Sequence, residues 1–132
     1  MSESNLRAAL DGNLNSIVDG LPIAWENRNY TQTDDAYLSQ FLLPAETIAV
    51  GVERGGSDVL AGIYQVMVNI PEGLGKHEAL IETQKVKDQF PRSSTLEYNG
   101  TRVVIQKVWS NSALIDENFY RVPISIRYRA MS

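Results

Sequence analysis

From Tyr120 to Ala130 the chain alternates without a break. Tyr120, Val122, Ile124, Ile126, Tyr128 and Ala130 share one parity, and Arg121, Pro123, Ser125, Arg127 and Arg129 share the other. A period of two held for eleven residues is a strand with one buried and one wet face. No other feature constrains the fold as much. An apolar sheet face needs a cover, so this chain must supply helices or a second sheet to pack on it. The segment is expected to be tied into the core, with Ile124 and Ile126 buried and Arg127 and Arg129 exposed.

Helical cover is legible at two places. Leu6, Leu10, Leu14, Ile17 and Leu21 step by 4, 4, 3 and 4, one stripe of a 3.6-residue period. This predicts a helix over about 4–19, capped by Ser2 or Ser4 and ended by Gly20-Leu21-Pro22. Ala79, Thr83, Val86 and Phe90 step by 4, 3 and 4, which predicts a second helix over 76–89 before Pro91. Gly73 and Gly75 let the chain turn into it.

The remaining apolar segments read as strands. Ile23 to Glu26 is short, Tyr37 to Leu43 alternates until Pro44, and Thr47 to Val52 pairs across a turn with Val59 to Ile70. Asn99-Gly100 lies between Thr95–Tyr98 and Arg102–Trp109, the strongest short-range hairpin signal, because both residues tolerate positive φ. Asn27–Asp35 and Glu53–Asp58 read as exposed loops, and Ser110–Glu117 as a polar connection. The expected fold is one α+β domain over residues 1–132, a mostly antiparallel sheet covered by two helices. Strands 59–70, 102–109 and 119–130 should form its centre.

Composition narrows the chemistry. The chain has no cysteine and a single histidine, His77, so disulfides, thiolate metal sites and a cysteine nucleophile are excluded. Nothing pairs His77 with a nucleophile at a recognisable spacing, and a surface or sheet-packing role fits it better. Gly73-Leu74-Gly75-Lys76 lacks the spacing and the ending of a phosphate loop. Asp34 and Asp35 are adjacent and read as solvating a loop. Trp25 and Trp109 read as core. No catalytic residue, metal site or cofactor is expected. Twelve Lys and Arg against sixteen Asp and Glu give a net charge of −4, which disfavours a nucleic-acid partner. No apolar run reaches the roughly 18–20 residues of a membrane span. Met1–Asn5 has neither a basic nor an apolar region, which predicts a protein without a signal peptide, kept on the cytoplasmic side.

Several segments together resemble a known family. These are Tyr37–Pro44, Gly62–Gly75, the helix closing at Phe90, and Val122–Tyr128, with Trp25-Glu26-Asn27 near the first strand. Over about residues 3–130 the chain resembles the tail terminator-like, or minor tail, proteins of long-tailed bacteriophages. The terminal strand and Gly62-Ile63-Tyr64-Gln65-Val66 carry most of the likeness. The resemblance implies a non-enzymatic subunit that forms a hexameric ring, or stays a monomer when free. The implied ring sits on the tail tube, stops its growth and offers a surface to the head–tail connector protein. It implies a place in the virion tail, with assembly in the host cytoplasm.

Loops on a rigid sheet and the arginine face of the last strand are where contacts are expected, at Tyr30, Arg54, Arg127 and Arg129. Two other readings stay open. One is a different neck or tail component, such as a head-completion protein or tube subunit. The other is a small-ligand module or enzyme, which would need a pocket with convergent polar groups that no motif here announces.

Overall fold

The computed structural model describes residues 3–17, 20–26, 35–43, 46–49, 58–116 and 118–131. Among the described residues two helices, α1 (Glu3–Asn15) and α2 (Gly75–Gln89), accompany eight strands. The strands are β1 (Ile23–Ala24), β2 (Tyr37–Leu42), β3 (Glu46–Ala49), β4 (Asp58–Pro71), β5 (Thr95–Tyr98), β6 (Thr101–Ser110), β7 (Leu114–Asp116) and β8 (Phe119–Met131). All belong to one sheet in the order β1-β2-β4-β8-β6-β5; β3 lies on β4 and β7 on β8. Every pair is antiparallel except β1–β2. The expected α+β architecture is present, with β4, β8 and β6 at its centre.

The alternation of β8 becomes register. Ile126 faces Tyr64, Ile124 faces Val66 and Val122 faces Val68 across the β4–β8 ladder. These six, with Leu38, Val103, Ile105 and Tyr128, form the apolar face of the sheet. Leu6, Leu10 and Leu14 of α1, and Ala79, Val86 and Phe90 of α2, join the same buried cluster, as their spacings predict. Ile124 and Ile126 are both fully buried.

Helix ends follow local chemistry. The first helix stops at Asn15, short of the expected 19, because the Asn13 carbonyl is claimed elsewhere. It accepts from the Ser16 amide at 3.2 Å, the Ser16 hydroxyl at 2.8 Å and Gln89 Nε2 at 2.9 Å. Asn13 Nδ2 donates in return to the Gln89 carbonyl at 2.8 Å, so the C-terminal turns of α1 and α2 are tied together. Of the two expected caps, Ser4 lies inside the helix and Ser2 lies outside the described residues. A 3₁₀ turn at Glu72–Leu74 leads into α2. The β5–β6 hairpin turns on Asn99 at φ 50° and Gly100 at φ 86°, both in the left-handed region that the Asn-Gly pair supplies at low cost.

Three features depart from expectation. The first is the outer face of β8, where Pro123 and Ser125 are buried although their parity is polar. The sheet curls, and each sits between long neighbouring strands, Ser125 flanked by Gln65 of β4 and Trp109 of β6. Arg129 is only half exposed, while Arg127 is exposed as expected. The second is β6, whose register shifts between Ile105 and Lys107, so Gln106 is an extra residue. Val103 and Ile105 point inward before the bulge and Val108 after it. The third is β7, a short strand inside the segment read as a polar connection, turned back onto β8 through Asn118 at φ 69°.

Ile124→Ala should cost roughly 2–5 kcal/mol in a urea titration, as deletion of buried methyl groups does. Ser125→Ala, which removes one atom and leaves no large cavity, should cost much less despite its burial. Equal losses at the two sites would contradict the register.

Candidate interaction site

The two helices pack on one face of the sheet. On the outer face β6 and β8 place three side chains in a stack. Lys107 Nζ lies 5.1 Å from the centre of the Trp109 ring, and the Arg127 guanidinium lies 5.8 Å from it. Both are within the range of cation–π attraction. The bulge at Gln106 makes this possible, since it puts Lys107 and Trp109 on the same side as Arg127. The half-buried Trp109 is therefore a platform for two cations, not a core residue as its composition class suggests.

Arg121, on the same outer parity, behaves differently. Its Nη1 donates to Asn69 Oδ1 at 2.6 Å and to the Tyr37 hydroxyl at 3.1 Å. Its guanidinium lies 5.1 Å from the Phe119 ring, which meets the Tyr37 ring edge-on at 5.6 Å. Asn69 is fully buried and donates Nδ2 to the Tyr37 carbonyl at 3.2 Å and the Ser39 hydroxyl at 3.2 Å. This cluster locks β2, β4 and β8 together. Arg121 holds structure, whereas Arg127 and Lys107 are exposed.

The apolar exposure is also uneven. Phe41 and Leu43 are 42% and 40% exposed at the β2 side of the sheet, and Leu114 and Ile115 are 55% and 72% exposed on β7 at the other side. Leu80 and Ile81 form a further exposed pair on α2.

On the helix side, α1, β1 and β2 enclose an open cleft of about 390 Å³ lined by Arg7, Asp11, Asn15, Trp25, Glu26 and Gln40. Arg7, Asp11 and Asn15 are four residues apart and share one face of α1. Arg7 Nη2 meets Glu26 Oε1 at 3.0 Å. The Tyr64 hydroxyl donates to Asp11 Oδ1 at 2.5 Å, the short bond of an ionised acceptor. Burial, then the Asp11 charge and this hydrogen bond, push the Tyr64 phenol far above its ordinary value. Gln40 sits on the apolar parity between Leu38 and Leu42, and that misfit is the sequence signal of the cleft.

Of the four expected contact residues, Arg127 and Arg129 lie on the outer face of β8, and Tyr30 and Arg54 lie outside the described residues. His77 is exposed in the first turn of α2. Among the described residues no group of three or more His, Asp or Glu side chains is placed to hold a metal ion, and no helix is long and apolar enough to cross a membrane.

Tyr64→Phe should flatten the alkaline limb of stability. A phenol whose proton is held more tightly in the folded state adds stability fully present below pH about 10. That stability is lost as pH rises further, by up to about 1.4 kcal/mol per pH unit. Urea titrations between pH 8 and pH 11 should therefore show a steeper decline in the parent chain than in the variant.

Known proteins resemble this chain in two ways. The family model described as phage tail terminator protein matches residues 5–128. A solved structure whose own description gives no function is 26% identical over 98% of this chain and 96% of that one, with a TM-score of 0.79. A chain of the virion of a native gene transfer agent (GTA) particle shares the fold at 18% identity and TM-score 0.66, over 98% of this chain and 96% of that one. No curated protein matches. The family model matches nearly the whole length of the chain, which therefore belongs to the phage tail terminator family, as a structural protein of the phage tail.

Proposed function

We propose that the protein caps the tail tube as a ring of six subunits, ends tube polymerisation and provides the surface that joins the connector of the head. The family membership carries this reading. The geometry supports it through one observation: besides Leu80 and Ile81 on α2 and Tyr98 on β5, exposed apolar groups stand on both sides of the β4–β8 pair. Phe41 and Leu43 mark one side, and Leu114 and Ile115 mark the other. A ring needs a heterologous interface, in which unlike patches meet and rotation closes the circle. The role is architectural and not enzymatic, its partners being further copies of itself, the tube protein and the connector protein. The finished product lies in the virion tail, after assembly in the host cytoplasm. Tyr30, Arg54, Arg127 and Arg129 remain the candidate contacts.

Removing the gene should give overlong tails that do not join heads. Purified protein added to polymerising tube protein should stop growth, as electron microscopy of tube lengths would register. Tails of normal length that still join heads would reject the proposal, and co-polymerisation into the tube would favour a tube subunit instead.

Charge reversal at Arg127 should weaken capping without unfolding the subunit. The side chain stands on the wet outer face, so the change in unfolding free energy should stay within about 0.5 kcal/mol. A large loss of stability in Arg127→Glu would assign this residue to the fold rather than to a contact.

A further inference from the structure

The cleft between α1, β1 and β2 is more finished than a surface furrow. Gln40 is 1% exposed and lines it, yet its Oε1 accepts no hydrogen bond among the described residues. A buried carbonyl left without a donor is costly, and native chains rarely leave one without reason. The other lining groups are also unbalanced. Asp11, which accepts from the Tyr64 hydroxyl, and Glu26, which engages Arg7, bring two carboxylates to a lining with the single guanidinium of Arg7. Half-buried Trp25 adds an indole at the same wall. Acceptors, net negative charge and an aromatic ring are the chemistry that receives a cation rich in N–H donors.

We propose that this cleft is a socket for an arginine side chain of a second copy of the chain. The guanidinium would donate to Gln40 Oε1 and a carboxylate of the cleft, and lie against Trp25. Charge complementarity selects the occupant. The cleft opens beside β1 and β2 at one side of the sheet, while exposed Arg127 and half-exposed Arg129 lie on β8, on the opposite face. The identity of the partner rests on the ring proposed above; the chemistry of the cleft does not.

The test uses the indole Nε1–H resonances of Trp25 and Trp109 in isotopically labelled protein. Titration with N-acetyl-arginine methylamide should shift the Trp25 signal saturably, and N-acetyl-glutamate methylamide should not. Gln40→Leu should weaken the arginine response roughly tenfold or more, because it removes an acceptor for a charged donor. A thermal melt checks that this variant is folded, and Glu26→Gln, which keeps the shape of its side chain, provides a second reading. In the second arm the labelled chain carries Arg127→Glu and Arg129→Glu, so it keeps the cleft but lacks the cations. Unlabelled parent protein should move its Trp25 signal in the direction arginine does, and unlabelled double variant should not. No saturable shift with the arginine probe, or an equal shift in Gln40→Leu and Glu26→Gln, would overturn the socket. An equal or absent effect of the two unlabelled proteins would overturn the second copy as occupant. No tail enters either arm, so failure of the socket is distinguishable from failure of tail termination.

Discussion

The pairing of β4 with β8 is the interaction on which the rest depends. It runs through twelve register pairs, from Leu60 opposite Ala130 to Pro71 opposite Phe119. The partners lie about fifty to seventy residues apart in the chain, so the ladder closes a long loop whose entropy must be offset by burial. Tyr64, Val66, Val68 and Ile70 on one strand, and Tyr120, Val122, Ile124 and Ile126 on the other, supply that burial on a single face. Both helices pack there. Every other strand attaches to one of these two directly or through β2 or β6.

Both helices pack on one face of the sheet, and the outer face carries Lys107, Arg121 and Arg127. The chain uses that outer face unevenly. At one end Arg121, Asn69, Tyr37 and Phe119 close on each other and leave little to offer. At the other, Lys107 and Arg127 share the ring of Trp109 and keep their charge toward solvent. Similar residues on one strand therefore do unlike work, and the difference comes from what stands beside them. A buried asparagine accepts from Arg121, while an aromatic platform supports Arg127.

The polar groups of the helix side follow the same logic. Burial, and then the Asp11 carboxylate that accepts from its hydroxyl, holds the Tyr64 phenol protonated. Arg7 is drawn to Glu26. Gln40 Oε1, like Thr83 Oγ1 on α2, is buried without a hydrogen-bond partner among the described residues, and Gln40 is the one of the two that lines the cleft.

The sequence by itself determined the elements whose physics is local. The alternation of Tyr120–Ala130, the stripes Leu6-Leu10-Leu14 and Ala79-Thr83-Val86-Phe90, and the turn at Asn99-Gly100 are each read from neighbouring residues, and each is present. A likeness carried mainly by Tyr37–Pro44, Gly62–Gly75, the helix closing at Phe90 and Val122–Tyr128 pointed to the family. Tertiary structure decided what depends on distant partners. Pro123 and Ser125 are buried because long strands flank them in a curled sheet, which no parity rule contains. Lys107 joins Arg127 because a single bulge at Gln106 shifts the phase of β6. Leu114–Asp116 forms a strand because β8 offers it an edge. The cleft gathers residues from positions 7 to 40 that carry no shared motif. Periodicity records which way a side chain points, and only the packed chain decides what it meets there.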